Sequence, residues 1–398
     1  MNWPGRIVAR LNLTDLPLAW LQLKRQPVRY LVAVTGIGFA ALLMYMQLGF
    51  QSGLLNSATT FYEALDADLV LISPATLNSG NFQQFPQSQL YNALGVEGVT
   101  QTIPLYVANV NVQKLNGIKP TSLRLIGYDP DTNVLNLDAV KAQSALLKTP
   151  NYVLFDSLGN RNTGPIAAAV QTNGYQDLIL SDFSKTFRAI GLFKLGSTFA
   201  ADSNVISSDT TAIQLAYRQI NTGEISMGLI RLSPGINSKR VQSFLRNLYG
   251  SELQVLSKSE LIAQERDYWN TASSFGVIFG FGTIMGLLVG GVVVYQVLYT
   301  DVSDHLKEYA TLKAMGFADG FILTIVIQEA FLLGISSFIP ATLISSIMYA
   351  FLTSASGIRI EMTSDKTALV GSLTLGVCAA SAAIAIRRLR DADPASVF

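Results

Sequence analysis

The chain has 398 residues, of which 49% are hydrophobic and only 14% charged, with a net charge of +1 and a mean hydropathy of +0.35. An ordinary soluble domain carries about 25% charged residues, so a wholly soluble fold is excluded, and the near-neutral charge without a basic, aromatic-interleaved patch excludes a nucleic-acid binder. Cys378 is the single cysteine, which excludes an intrachain disulfide.

Residues 13–30, LTDLPLAWLQLKRQPVRY, mix Leu and Trp with a basic cluster. This composition predicts an amphipathic helix on the inner leaflet, with Trp20 at headgroup depth and a bend at Pro27. Tyr30–Gln51 carries no charge and is long enough to cross about 30 Å of hydrocarbon. It begins too late, and runs too long, for a cleavable signal peptide, so an anchor is expected. The first helix should continue outward through NSATTFYEALDA.

Residues 52–270 then alternate strand-like and helix-like stretches. Strands are expected at 67–74, 102–115, 121–130, 152–157, 177–182, 210–220 and 224–235, and helices at 86–96 and 237–250. In the second helix Asn237 or Ser238 supplies the cap and Gly250 the stop. The stretch GNRNTGPI at 159–166 is a candidate divide between two lobes. Ser257 and Glu260 form a capping-box pattern at the start of a helix expected to run unbroken from 256 to 300. The expected fold class is therefore α+β: four transmembrane helices, with a large mixed α/β domain between the first and second.

The remaining spans are Thr271–Thr300, with no charge, Phe321–Thr353, with Glu329 alone, and Thr367–Ile386, again with none. Pro340 should kink the third. Residues 1–29 hold five basic residues against Asp15, and the tail holds Arg387, Arg388 and Arg390, so both termini are expected in the cytoplasm. That places the loop 301–320 in the cytoplasm as well. It puts 52–270 outside, in the periplasm of an inner-membrane protein.

Chemistry-bearing motifs are few. The chain lacks the P-loop, GxSxG and HExxH patterns, and its only histidine, His305, has no catalytic or metal-site companions at suitable spacing. No enzymatic site, cofactor site or metal site is expected. Gly282, Gly286 and Gly290 fall four apart on one stripe of the second span, with Gly276 and Gly280 on an adjacent stripe. Such small-residue spacing lets transmembrane helices approach closely, and a homodimer packed through this stripe is expected. Glu329 is an intramembrane charge, short of the midplane, expected to anchor structure by pairing with another helix or snorkelling rather than to couple an ion.

Between the second and third spans, DVSDHLKEYATLKAMGF is polar yet striped. On a helix, Val302, Leu306, Tyr309, Leu312 and Gly316 share one face, while Asp304, Lys307, Glu308, Thr311 and Met315 take the other. The apolar stripe predicts docking into a cytoplasmic partner, with Leu306, Tyr309 and Leu312 buried and His305, Lys307, Glu308 and Lys313 at the rim.

The run Lys307-Glu308-Tyr309-Ala310-Thr311-Leu312-Lys313-Ala314-Met315-Gly316 resembles the coupling helix of FtsX/MacB-type (type VII) ABC transporter permeases. The layout resembles that family along the whole chain: amphipathic helix, one span, outer domain, three spans, and a basic tail ending in Asp393-Pro394-Ala395. Residues 18–51 are most similar to DevC permeases of cyanobacterial glycolipid exporters. The resemblance implies a separate ABC ATPase subunit carrying ATP and Mg2+, since MacB fuses an ATPase domain that is not found here. It also implies a periplasmic membrane fusion adaptor and a TolC-like outer-membrane channel. The implied activity is mechanical: ATP-driven closure of the ATPases moves the stalks and expels substrate from the periplasmic side. Regulation of a cell-wall hydrolase and extraction of lipoproteins are alternatives on the same fold. An ion-coupled transporter built on Glu329 is the alternative from another class.

Overall fold

The computed structural model describes all residues except 1–19, 21, 22, 114–119, 161, 162, 199, 273, 306–310, 312–314, 316–318 and 391–398. The chain forms two units. One comprises the first fifty residues, Ile278–Ala350 and the segment from Glu361 onward; the other comprises Gln51–Val277 and Phe351–Ile360.

Among the described residues, four helices are long and apolar enough to cross a membrane. These are α1 (Pro27–Ala64), α8 (Ser274–Asp304), α9 (Asp319–Ser356) and α10 (Ser364–Arg390). Proline opens α1 as its first residue, where a missing N–H costs nothing and the fixed φ suits a helix. Helix α1 runs on to Ala64, as its sequence predicts. Helix α9 passes through Pro340 as one element. The four meet in a core containing Ala33 and Ile37 of α1, Val294 and Leu298 of α8, Ala330 and Leu333 of α9, and Cys378 and Ala382 of α10. Hydroxyl groups stitch the bundle. Tyr45 Oη lies 3.0 Å from Thr342 Oγ1, the Tyr349 hydroxyl donates to the Tyr45 carbonyl, and Ser381 Oγ donates to the Gly291 carbonyl at 3.1 Å.

The outer unit is built on one nine-stranded mixed sheet. Its strands are β1 (Leu69–Ile72), β3 (Val99–Val112), β4 (Thr121–Tyr128), β5 (Tyr152–Asp156), β6 (Gln176–Ile179), β7 (Thr186–Phe193), β8 (Ser203–Ser208), β10 (Met227–Leu232) and β11 (Gln254–Ser257). The spatial order is β11-β1-β10-β3-β4-β8-β5-β7-β6, and β2 (Phe85–Pro86) pairs with β9 (Glu224–Ile225) separately. Pairing is antiparallel except for β4 with β8 and β5 with β7. Both faces are covered. On one, Leu69, Leu71, Leu125 and Phe155 pack under α2 (Gln87–Asn92), α4 (Ile166–Asn173), α5 (Asp209–Leu215) and α6 (Ser238–Tyr249). On the other, the alternate residues Val70, Ile72, Ile126 and Leu154 pack against Phe61 and Tyr62 of α1, Leu65 just after it, Val140 of α3 (Asp138–Gln143), and Leu261 of α7 (Lys258–Asp267).

Several sequence expectations change. The stretch 159–166 divides no lobes, because β5 before it and β7 after it are neighbours in the same sheet. Residues 210–220 begin as helix α5 rather than as a strand. Ser208, in an extended conformation, accepts the Thr211 N–H and starts a helix that the β-branched threonines alone would not favour. The helix from 256 is not uniform: α7 ends at Asp267 and a π-helical turn follows over Tyr268–Ala272. The capping box at Ser257 and Glu260 and the Asn237 cap of α6 both form as expected.

The outer unit also takes in Phe351–Ile360, distant in sequence from the rest of it. Gly357 has φ +71°, and a Cβ there would lie 2.8 Å from the Leu158 carbonyl oxygen and 2.8 Å from Ser197 Oγ. Ser197 Oγ donates to the Ser356 carbonyl at 2.9 Å. The seat is held from beneath by Asp156, whose carboxylate accepts from the N–H groups of Leu158, Leu195 and Gly196 and from the Asn204 amide. Burial raises the Asp156 pKa above the ordinary carboxylate value, with those hydrogen bonds opposing it.

Candidate functional site

At one end of the bundle the charged residues cluster. Arg29 of α1 donates to Asp304 of α8 at 2.9 Å, to the Val297 carbonyl at 3.1 Å and to Gln26 at 3.0 Å. Glu329 of α9, only 1% exposed, lines a small cavity with Arg29, Gln26 and Val297. The intramembrane carboxyl therefore faces the bundle interior, where a charged side chain can find polar company, rather than lipid.

The expected docking segment begins at this end. Helix α8 continues through Asp304, and Val302 in its last turn is 4% exposed within the bundle core. Val302 is thus a packing residue of the second span and not part of a docking face, which corrects the sequence reading. His305 is half-buried, Thr311 is exposed and Met315 is exposed at 63%. Leu306, Lys307, Glu308, Tyr309, Leu312, Lys313 and Gly316 lie outside the described residues.

The glycine stripe is used within the chain. A Cβ at Gly282 would lie 2.4 Å from the Gln47 carboxamide carbon, one at Gly286 would lie 3.2 Å from Met44 Cγ, and one at Gly290 would lie 2.9 Å from Ala40 Cβ. All three facing residues belong to α1. The stripe lets α8 lie close against α1, so a second copy would not find it open.

Two polar features of the outer unit escaped sequence reading. The first is a buried cluster. Glu265 of α7, 3% exposed, accepts from Ser79 N–H (2.9 Å to one oxygen, 3.1 Å to the other), from Ser79 Oγ at 2.7 Å and from Trp269 Nε1 at 2.9 Å. Arg124 of β4, wholly buried, donates to the Ser79 carbonyl at 3.1 Å and sits 5.6 Å from the Phe61 ring centre. Burial lowers the Arg124 pKa, opposed by the nearby Tyr62 and Glu265. The second is a cleft of about 450 Å3, floored by Val107–Asn109 of β3 and walled by residues 79–84 and by the stretch around Gln219–Glu224. Among the described residues no group of three or more His, Cys, Asp or Glu could hold a metal ion.

Residues 280–394 match the family described as FtsX-like permease C-terminal. Over these residues the chain is similar to an FtsX-like permease domain. The match takes in most of α8 and all of α9 and α10, together with the segment between α8 and α9. Among solved structures, the chain is similar to the periplasmic region of MacB from Actinobacillus actinomycetemcomitans (14% identity, 50% of this chain and 92% of that one, TM-score 0.31). It is also similar to the extracellular domain of YknZ, a noncanonic ABC-type transporter from Gram-positive bacteria (15%, 48% and 99%, 0.31). A third likeness is to a domain of a putative permease protein from Porphyromonas gingivalis (12%, 48% and 86%, 0.29). No curated protein matches the chain.

Proposed function

We propose that this chain is the permease subunit of an ABC exporter of the FtsX/MacB type, lodged in the inner membrane with both termini in the cytoplasm. The observation that carries this reading is the match of residues 280–394 to the FtsX-like permease domain. The four apolar helices, with a large α/β domain between the first and second, support it. In this reading the permease performs no bond chemistry. A partner ATPase binds ATP and Mg2+ and grips the segment from His305 to Gly316, and its closure moves α8 and α1. The outer domain, in the periplasm, follows and expels substrate toward an adaptor and an outer-membrane channel. Glycolipid is the cargo that the likeness of residues 18–51 to DevC permeases suggests.

The test is co-purification of the ATPase subunit with tagged permease. Burying one large apolar side chain contributes roughly 1.5–3 kcal/mol, against about 0–1 kcal/mol for an exposed ion pair. Leu306→Ala with Tyr309→Ala should therefore release the ATPase, while Lys307→Ala should weaken binding slightly, by a deficit that depends on salt and shrinks as salt screens the rim charge. Full retention by the double variant would remove this segment from the coupling path. Capture of a cell-wall hydrolase in place of an adaptor would replace export with regulation.

A further inference from the structure

The cleft in the outer domain has an unusual lining. Asn81, Gln83 and Gln84 on one wall face Gln219 and Asn221 on the other, with Asn109 on the floor. Glu224 is the one charged residue among those that line it, and Phe82 adds an aromatic side chain. A carboxamide offers a donor and an acceptor together, as a hydroxyl group does. Some of this capacity is spent inside the cleft. The Gln219 side chain donates to the Asn109 carbonyl at 2.6 Å, Asn109 Nδ2 donates to the Gly80 carbonyl at 3.2 Å, and Asn221 Nδ2 donates to Glu224 at 2.7 Å. The side-chain oxygens of Asn109, Asn221 and Gln83 have no partner among the described residues.

This lining selects by charge and polarity. A phosphate or carboxylate would meet Glu224 with no lining cation to offset it. An apolar ligand would strip water from amides without replacing their hydrogen bonds, at a cost in binding. A hydroxyl-rich, uncharged molecule meets neither penalty. The volume, about 450 Å3, lies within the roughly 300–1,000 Å3 of small-molecule sites.

One wall of the cleft is tied to two helices. Ser79, where that wall begins, donates from both N–H and Oγ to Glu265 of α7, and its Oγ also reaches the Ala58 carbonyl of α1 at 3.4 Å. The Ser79 carbonyl is fixed to the sheet by Arg124. Across the cleft, Gln84 holds the other wall by accepting the Asn221 N–H at 3.0 Å. Movement of α1 or α7 relative to the sheet therefore pulls the wall through Ser79. By linkage, a ligand that favours one wall position favours the matching helix position.

We propose that this cleft binds an uncharged, hydroxyl-rich ligand, a saccharide of one or two rings, and that Ser79 couples its occupancy to the positions of α1 and α7. The site lies outside the ATPase-docking segment and is tested on the permease alone, so its fate is independent of the co-purification result. Trp269, hydrogen-bonded to Glu265, is the built-in reporter. With Trp3→Phe and Trp20→Phe it becomes the sole tryptophan. The detergent-purified full chain is titrated with glucose and maltose, and with glucuronate and spermidine as charged comparisons, while radiolabelled maltose measures binding directly. Maltose should bind saturably and shift the Trp269 emission. Asn221→Ala, at an exposed position, should weaken binding about tenfold, the loss of a hydrogen bond or two. Ser79→Ala loses the Oγ ties to Glu265 and Ala58 but keeps the N–H tie, so the Trp269 response per bound maltose should fall without vanishing. Absence of saturable sugar binding, or unchanged affinity in Asn221→Ala, overturns the site. Tighter binding of glucuronate or spermidine than of maltose overturns the ligand class, and a full Trp269 response in Ser79→Ala overturns the coupling.

Discussion

Gly290→Ala adds one methyl group where a Cβ would lie 2.9 Å from Ala40 Cβ. Carbon atoms in good contact lie about 3.5–4.0 Å apart, so α8 and α1 must separate by roughly half an ångström to one ångström. Neither group can rotate away, because each Cβ is fixed to its backbone. Overpacking of this kind costs about 1–3 kcal/mol. The other two glycines should tolerate the same change better, because Gly286 faces Met44 and Gly282 faces the end of Gln47, both flexible side chains. Ala40→Gly removes the opposing methyl, so it should rescue Gly290→Ala; the swap also cancels the difference in helix propensity between the two residues. A coupling energy of about 0.5–3 kcal/mol is expected between these positions. The assay is thermal unfolding of the detergent-purified chain for both single variants and the pair, beside the yield of chemically cross-linked dimer. Strict additivity would refute the reasoning. So would an unmoved unfolding midpoint with a lower dimer yield, which would return the stripe to a contact between two copies.

Other changes probe the outer unit. Gly357→Ala combines a left-handed backbone, costing about 1–2 kcal/mol for a residue with a side chain, with a Cβ 2.8 Å from a backbone carbonyl oxygen; protease sensitivity near 351–360 should rise, and an unchanged digestion pattern would count against the seat. Glu265→Leu leaves Arg124 buried without its countercharge, a loss of about 3–5 kcal/mol, part of which Arg124→Met should recover in the double variant by urea unfolding. Burial pushes Glu260 up, but hydrogen bonds from the Ser257 N–H, Gln242, Arg246 and the Ser257 hydroxyl outweigh it and hold its pKa at about 2, below its ordinary 4.5. Its contribution to stability is therefore full above pH 4.5 and fades as pH falls toward 2, and Glu260→Gln should flatten the urea-midpoint slope in that window. An excised 51–277 fragment should unfold less cooperatively than one carrying 351–360 on a flexible linker; identical transitions would make the distant segment dispensable.

Much of this was legible because the signals are local. Charge-poor runs gave the four spans, and Ser257 with Glu260 and Asn237 with its N–H partners gave helix starts. Strand β7 was also within reach: Phe187, Ala189, Gly191 and Phe193 alternate inward with the period of a strand. Strand β8, SNVISS, was not, because a fully buried central strand need not alternate and its serines read as loop. Residues 210–220 misled because their β-branched content outweighed the cap at Ser208. Of the candidate sites, Glu329 was visible as the lone charge of its span, but its inward burial depends on the facing helices and not on its own sequence. The glycine stripe announced a close helix contact but not its partner, since spacing on one helix is silent about the facing surface. The Ser79, Arg124 and Glu265 cluster and the cleft join residues more than forty positions apart, and no local pattern encodes them.

The seat for Gly357 also sets an order on biosynthesis. The outer domain takes its last piece, Phe351–Ile360, about eighty residues after Val277. At roughly 5–20 residues per second, a nascent chain waits about 4–16 s between finishing the sheet and receiving that segment. During the wait the surface around Leu158, Gly159 and Ser197 stands open to water, and two further spans must enter the bilayer before it closes. Maturation of this domain is thus timed by membrane insertion, and a slow third span would prolong the interval in which the unfilled seat can meet the wrong partner.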